Sequence, residues 1–172
     1  NDNDEERRTL ANRVAWFKER IVYDLSTRDW KGMEVTGDGW RVVPLPSVFR
    51  RYKHQTPQID PQRGGDPKRL FEFCNIAKES QCLTHIALAS ALVPDIPHPI
   101  IVLTGEQNAG KTSSTRRFKS IIDPSCVTLC KRPHDEQDAQ QILDHHWVAA
   151  FDNMSTMPGW LSDSFCRAVT GE

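Results

Sequence analysis

The chain reads as an α/β protein, with a mostly parallel sheet around a phosphate-binding loop, preceded by a small α+β unit and a helical segment. Three observations predict this. The apolar, β-branched run Pro99-Ile100-Ile101-Val102-Leu103-Thr104 has the continuous hydrophobicity of a parallel strand covered on both faces. It leads into Gly105-Glu106-Gln107-Asn108-Ala109-Gly110-Lys111-Thr112, which is G-x-x-x-x-G-K-T without departure. Ser113 to Ile122 then place Phe118, Ile121 and Ile122 at helical spacing, and Asp123-Pro124 stops the helix.

Each fixed residue of the loop answers a demand of a bound triphosphate. Gly105 and Gly110 allow backbone angles that a Cβ would forbid. The turn between them can aim its N–H groups at phosphate oxygens. Lys111 brings a mobile point charge to the β and γ phosphates, and Thr112 offers a hydroxyl to Mg²⁺. Glu106, Gln107, Asn108, Ala109 and Ser113 complete the nucleotide-binding stretch. The helix that starts here adds roughly half a positive charge at its N-terminus. The expected cofactors are therefore ATP and Mg²⁺, and the expected fold is a P-loop NTPase core over 99–172.

A second signal lies about forty residues further on, at Trp147-Val148-Ala149-Ala150-Phe151-Asp152-Asn153, an apolar strand ending in a carboxylate. In P-loop enzymes such an Asp orients Mg²⁺, often through water, so Asp152 joins Thr112 as a metal residue and Lys111 as a catalytic one. Asn153 follows it where many ATPases carry Glu. An amide cannot accept a proton at neutral pH, so Asn153 positions water, senses the γ-phosphate, or is simply a turn residue.

Ahead of the core, residues 1–45 read as the small α+β unit. Thr9 to Arg20 place Leu10, Val14 and Phe17 on one helical stripe, and Ile21 to Leu25 alternate like a strand. Met33-Glu34-Val35 and Trp40 to Val43 flank a Gly-Asp-Gly turn, the pattern of a hairpin. Residues 46–67, rich in Pro, Gln and Gly, read as a linker or extended loop. Within it Arg50-Arg51-Tyr52-Lys53-His54 suits a nucleic-acid backbone or, more plainly, a solvated loop. Residues 68–98 form the helical segment, with one helix opening at Asp66-Pro67 and a second running from about Ser80 to Leu92.

After the lysine helix, Val127-Thr128-Leu129 is a candidate second strand, and Asp135 a candidate N-cap for a helix to about His146. His145-His146 invites a catalytic reading beside the plainer one of a solvated helix end. Trp160 to Val169 carry Leu161, Phe165 and Val169 at helical spacing.

Composition bounds the rest. With 172 residues the chain can bury about 70% of its unfolded surface. A formal net charge of −1 asks for no nucleic-acid partner overall, so any DNA contact must come from a local patch. The apolar stretch Ile86 to Leu103 is broken by Pro94, Asp95, Pro97 and Pro99 and is no membrane span. The start, Asn1-Asp2-Asn3-Asp4-Glu5-Glu6, is the opposite of a signal peptide, which makes the cytoplasm the default location. The odd count of five cysteines then argues for free thiols. Cys126, Cys130 and His134 lack a fourth zinc ligand, and apolar cysteine is the simpler reading.

The segment from Phe151-Asp152-Asn153 through Trp160-Leu161-Ser162-Asp163 and Cys166-Arg167 to Thr170-Gly171 resembles ATPases of phages, plasmids and integrative mobile elements. These are replicative helicases of the superfamily 3 or AAA+ type, often encoded with a primase. Asp24-Leu25, Asp38-Gly39-Trp40, Phe49-Arg50-Arg51 and Gly64-Gly65-Asp66 extend the likeness toward the N-terminus. The resemblance implies an ATP-driven motor on DNA, acting as a homo-oligomeric ring and on single-stranded DNA through the full-length protein. It carries Gly105, Gly110, Lys111 and Thr112 over to phosphate and metal binding, and Asp152 to Mg²⁺. Arg167 is the arginine-finger candidate by elimination. The stretch from Pro99 to Glu172 holds fewer strands than a motor core needs, so the chain reads as a fragment that binds nucleotide and hydrolyses it poorly. Two alternatives stand beside this: a P-loop small-molecule or nucleotide kinase, and a non-hydrolysing nucleotide-dependent assembly module.

Overall fold

A computed structural model describes residues 10–154 and 156–170. Its one sheet among these residues is a four-stranded antiparallel meander: β1 (Val14–Phe17), β2 (Arg20–Asp24), β3 (Lys31–Thr36) and β4 (Gly39–Pro44), in that order. The hairpin and the strand at 21–25 are present as the sequence predicts. The expected helix over 9–20 is not: Thr9 lies outside the described residues, and Val14 to Phe17 pair with β2 from Val14–Tyr23 to Phe17–Arg20. The physical reason is local. Lys18 and Glu19 both adopt left-handed φ, 49° and 61°, which is the geometry of a two-residue hairpin turn. Val14-Ala15-Trp16-Phe17 is also a β-favouring tetrapeptide, so cross-strand pairing overrides the helical stripe. At Gly32 a Cβ would sit 2.8 Å from Leu45 Cδ1 and 3.1 Å from the Tyr23 carbonyl oxygen, so the loop after β4 packs onto β3 only over a glycine.

The expectation of a parallel sheet is overturned, and with it the P-loop NTPase core. Ile100 to Leu103 form no strand; Ile100, Ile101 and Val102 are exposed, Val102 by 72%. The two other segments read as strands, 127–129 and 147–153, form none; a single parallel bridge joins Cys130, just past the first, to Phe151 in the second. An apolar run states that a segment avoids water, not that a neighbour pairs with it.

The helices follow the sequence more closely. A 3₁₀ turn (Pro67–Arg69), capped by the Asp66 carboxylate, leads into α1 (Leu70–Phe73). Next come α2 (Lys78–Ser90), α3 (Lys111–Ile122), α4 (Glu136–His145) and α5 (Gly159–Thr170). The Asp135 carboxylate accepts the Asp138 N–H at 2.8 Å and caps α4 as expected.

Four apolar clusters organise the packing. Ala15, Val22 and Phe49 meet on one sheet face, while Val14, Tyr23 and Leu25 meet Leu92 and Trp147 on the other. Cys74, Leu88, Phe118 and Ile122 join α2 to α3. Ala139, Leu161 and Phe165 join α4 to α5, with Phe151 against them. No helix among the described residues is long and apolar enough to cross a membrane.

Candidate functional site

The glycine-lysine loop ends where α3 begins. Gly110 is the N-cap of α3 with φ 81°, and Gly105 has φ 148°, so both occupy backbone space that favours glycine. A Cβ on Gly110 would meet open space, so conformation and not crowding fixes the residue. Asn108 also takes a left-handed φ, 65°. Glu106, Gln107, Asn108 and Ser113 are exposed and Ala109 is half-buried. The loop is tied to the α1–α2 connection by Asn75, whose Nδ2 donates to the Ala109 carbonyl at 3.4 Å.

Lys111 turns its ammonium back into the loop. Nζ donates to the carbonyls of Gly105 at 2.8 Å and Glu106 at 2.6 Å, which holds a mobile positive charge at the helix start. The next residue reaches the second signal. Thr112 Oγ1 donates to Asp152 at 3.1 Å from Oδ2 and 3.2 Å from Oδ1. The two groups that the sequence assigns to a metal thus sit side by side, although the strands expected to hold them do not form. Asn153 is exposed with φ 55°, and its N–H donates to Asp152 Oδ1 at 3.0 Å, as in a turn.

The segment bearing Asp152 is held by a buried ionic cluster at the far end of α3. Lys119 (1% exposed) donates to Asp123 Oδ2 at 3.1 Å, to His146 Nδ1 at 3.3 Å and to the Val148 carbonyl. Asp123 (0% exposed) takes the Val148 N–H at 3.2 Å and Arg13 Nε at 2.9 Å. Burial alone would raise the Asp123 carboxyl, but Lys119 and Arg13 hold it below its ordinary value. Burial lowers the His146 imidazole to about 4, with the Lys119 and His54 charges adding to the effect. Sequence reasoning passed over this cluster; its one visible cue was the Lys119–Asp123 spacing of one helical turn.

The other candidates resolve differently. The basic cluster at 50–54 is largely engaged within the protein. Arg51 forks onto buried Asp24 at 2.6 and 2.8 Å, and Arg50 pairs with Asp144. Tyr52 stacks near His54 and His145. His145 and His146 are accordingly packed against Tyr52 and His54 instead of forming a solvated helix end. Arg167 is exposed on α5, where Nη2 lies 3.4 Å from Ser164 Oγ. All five cysteines are free; Cys130 is buried and Cys126 exposed. No group of three or more His, Cys, Asp or Glu among the described residues is placed to hold a metal.

Comparison with curated proteins and with solved structures finds no match. A family model, the actinomycete integrative conjugative element replication protein, matches residues 68–172, more than half of the chain, including the glycine-lysine loop, Thr112, Lys119, Asp123 and Asp152. The chain belongs to that family.

Proposed function

We propose that this replication protein of an integrative conjugative element binds ATP and Mg²⁺ at the start of α3. In the whole protein, hydrolysis there drives a helicase-like action on single-stranded DNA, with subunits arranged in a ring. The observation that carries the reading is the contact of Thr112 Oγ1 with both carboxylate oxygens of Asp152, one residue after Lys111. It rests on the loop and its carboxylate, not on the surrounding fold.

The donor set fits the ion. A hydroxyl and a carboxylate are hard oxygen ligands, and Mg²⁺ takes one or two such groups and completes its shell with water and phosphate. Thr112 and Asp152 would hold it, and bound Mg²⁺ would neutralise charge on the β and γ oxygens. Lys111 supplies the second positive charge; its present partners are two loop carbonyls, and a phosphate is a stronger acceptor for an ammonium. Gly105, Gly110 and residues 106–109 give the phosphates a backbone that can approach closely.

Asn153 favours a second reading for this chain by itself. Its amide cannot take the proton of an attacking water, so turnover needs a base from elsewhere in the whole protein, and in this chain binding outruns turnover. Melting curves test the binding. A ligand at 100 times its Kd stabilises by about 2.7 kcal/mol, which for a chain of this size raises Tm by roughly 5–11 °C. Mg-ATP is expected to give such a shift, and Lys111→Ala to abolish it. No shift at millimolar Mg-ATP ends the nucleotide reading. Stimulation of ATP hydrolysis by single-stranded DNA then tests the motor.

A further inference from the structure

We propose that Lys119 is a positioning residue for the metal end of the site, acting on Asp152 through Val148; the assignment rests on the nucleotide reading above. Lys119 lies two turns below Thr112 on α3, ~10 Å along the axis. Its ammonium holds the Val148 carbonyl, and its ion-pair partner Asp123 holds the Val148 N–H at 3.2 Å. Both backbone groups of Val148 are therefore satisfied by side chains from the end of α3. In a sheet, a neighbouring strand would make these bonds. Two residues on, the Ala150 carbonyl accepts the Cys130 N–H at 2.6 Å, and two residues further Asp152 reaches Thr112. The buried pair thus replaces the missing ladder and fixes the register of 148–152 against the same helix that carries Thr112.

A plain stabilising role explains this less well. A buried ion pair gives little net stability compared with apolar side chains of the same volume, and the role proposed for this one is to specify a single arrangement of the segments it joins, since another would leave a buried charge unpaired. Here it also spans three separate segments, since Asp123 Oδ1 is held by Arg13 from the start of the meander.

The test compares the whole chain with Lys119→Met and with Lys119→Gln, which keeps a donor but drops the charge. Calorimetric titration of ATP with and without Mg²⁺ gives the first readout. Lys119→Met is expected to shrink the magnesium-dependent gain in ATP affinity by about 10–100-fold, the usual effect of removing a group that orients a ligand, and to leave metal-free ATP affinity unchanged. Lys119→Gln is expected to fall between. Hydrogen exchange gives a readout that needs no nucleotide. Peptides over 147–153 are expected to exchange about tenfold faster in Lys119→Met, while the meander keeps its protection.

A folded Lys119→Met with unchanged exchange over 147–153 overturns the proposal, as does faster exchange with the full magnesium gain retained. Loss of the fold in both variants also overturns it, by assigning Lys119 to the fold alone. If the parent chain binds no Mg-ATP, the nucleotide reading fails, and the exchange result still decides whether Lys119 holds the segment of Asp152.

Discussion

Thr112 and Asp152, forty residues apart in the chain, meet side chain to side chain at 3.1 Å. The contact joins the first turn of α3 to the turn after Phe151. Because the same two groups are the proposed Mg²⁺ ligands, their mutational effects are expected to be coupled. Thr112→Ala and Asp152→Ala are each expected to weaken Mg-ATP binding, and the double variant to lose less than the sum by about 0.5–3 kcal/mol. Calorimetry with and without Mg²⁺ checks this; strict additivity, or equal losses without the metal, contradicts it.

The histidines make stability depend on pH. His146 titrates at about 4 in the folded chain and near 6.5 when unfolded, so between those values only the unfolded chain takes up the proton. Stability therefore falls as pH drops through that window. His54 is shifted down by burial and acts in the same direction. The lowered Asp123 contributes stability that is lost further down, as pH falls through its folded value. Urea midpoints are expected to decrease from pH 7 to pH 4.5, and His146→Gln to flatten the slope. An equal slope in the variant removes His146 as its source.

Arg51 is expected to matter for the fold before any nucleic acid. It is the forked partner of buried Asp24, and its guanidinium carbon lies 3.9 Å from the Trp30 ring centroid. Arg51→Met leaves a buried carboxylate without its cation, at a cost of about 3–5 kcal/mol. Arg51→Lys keeps the charge but not the fork and falls between. Urea unfolding measures both; a loss under ~0.5 kcal/mol for Arg51→Met, as at ordinary surface positions, contradicts the assignment.

Gly32 offers a steric test of the meander. A methyl there would press on Leu45 Cδ1 and the Tyr23 carbonyl, so Gly32→Ala is expected to cost about 1–3 kcal/mol. Trimming Leu45 to Val in the same chain relieves part of the clash but not the backbone contact. Thermal melting of the single and double variants checks the partial rescue.

What was legible in the sequence is what local chemistry decides. Asp135 announces its helix because a carboxylate before an amphipathic run caps it, and Leu161 and Phe165 announce α5 by spacing. Gly105, Gly110, Lys111 and Thr112 are recognisable because each has one use in that order. Pairing was not legible. Leu10, Val14 and Phe17 fit a helical stripe as well as Val14 and Trp16 fit a strand face, and only the partner strand separates the two. The apolar run at 100–103 likewise carries no mark of whether a neighbour exists. The bond from Arg13 to Asp123 spans 110 residues, beyond the reach of any local pattern.

The bare apolar span at Ile100, Ile101 and Val102 is expected to shape how this protein behaves in a tube. Apolar surface of this kind can bury itself against a second molecule, so crowding molecules together and adding sulfate are both expected to promote clumping. Dilute samples in low-sulfate buffer, or a lysine in place of Val102, keep it dispersed.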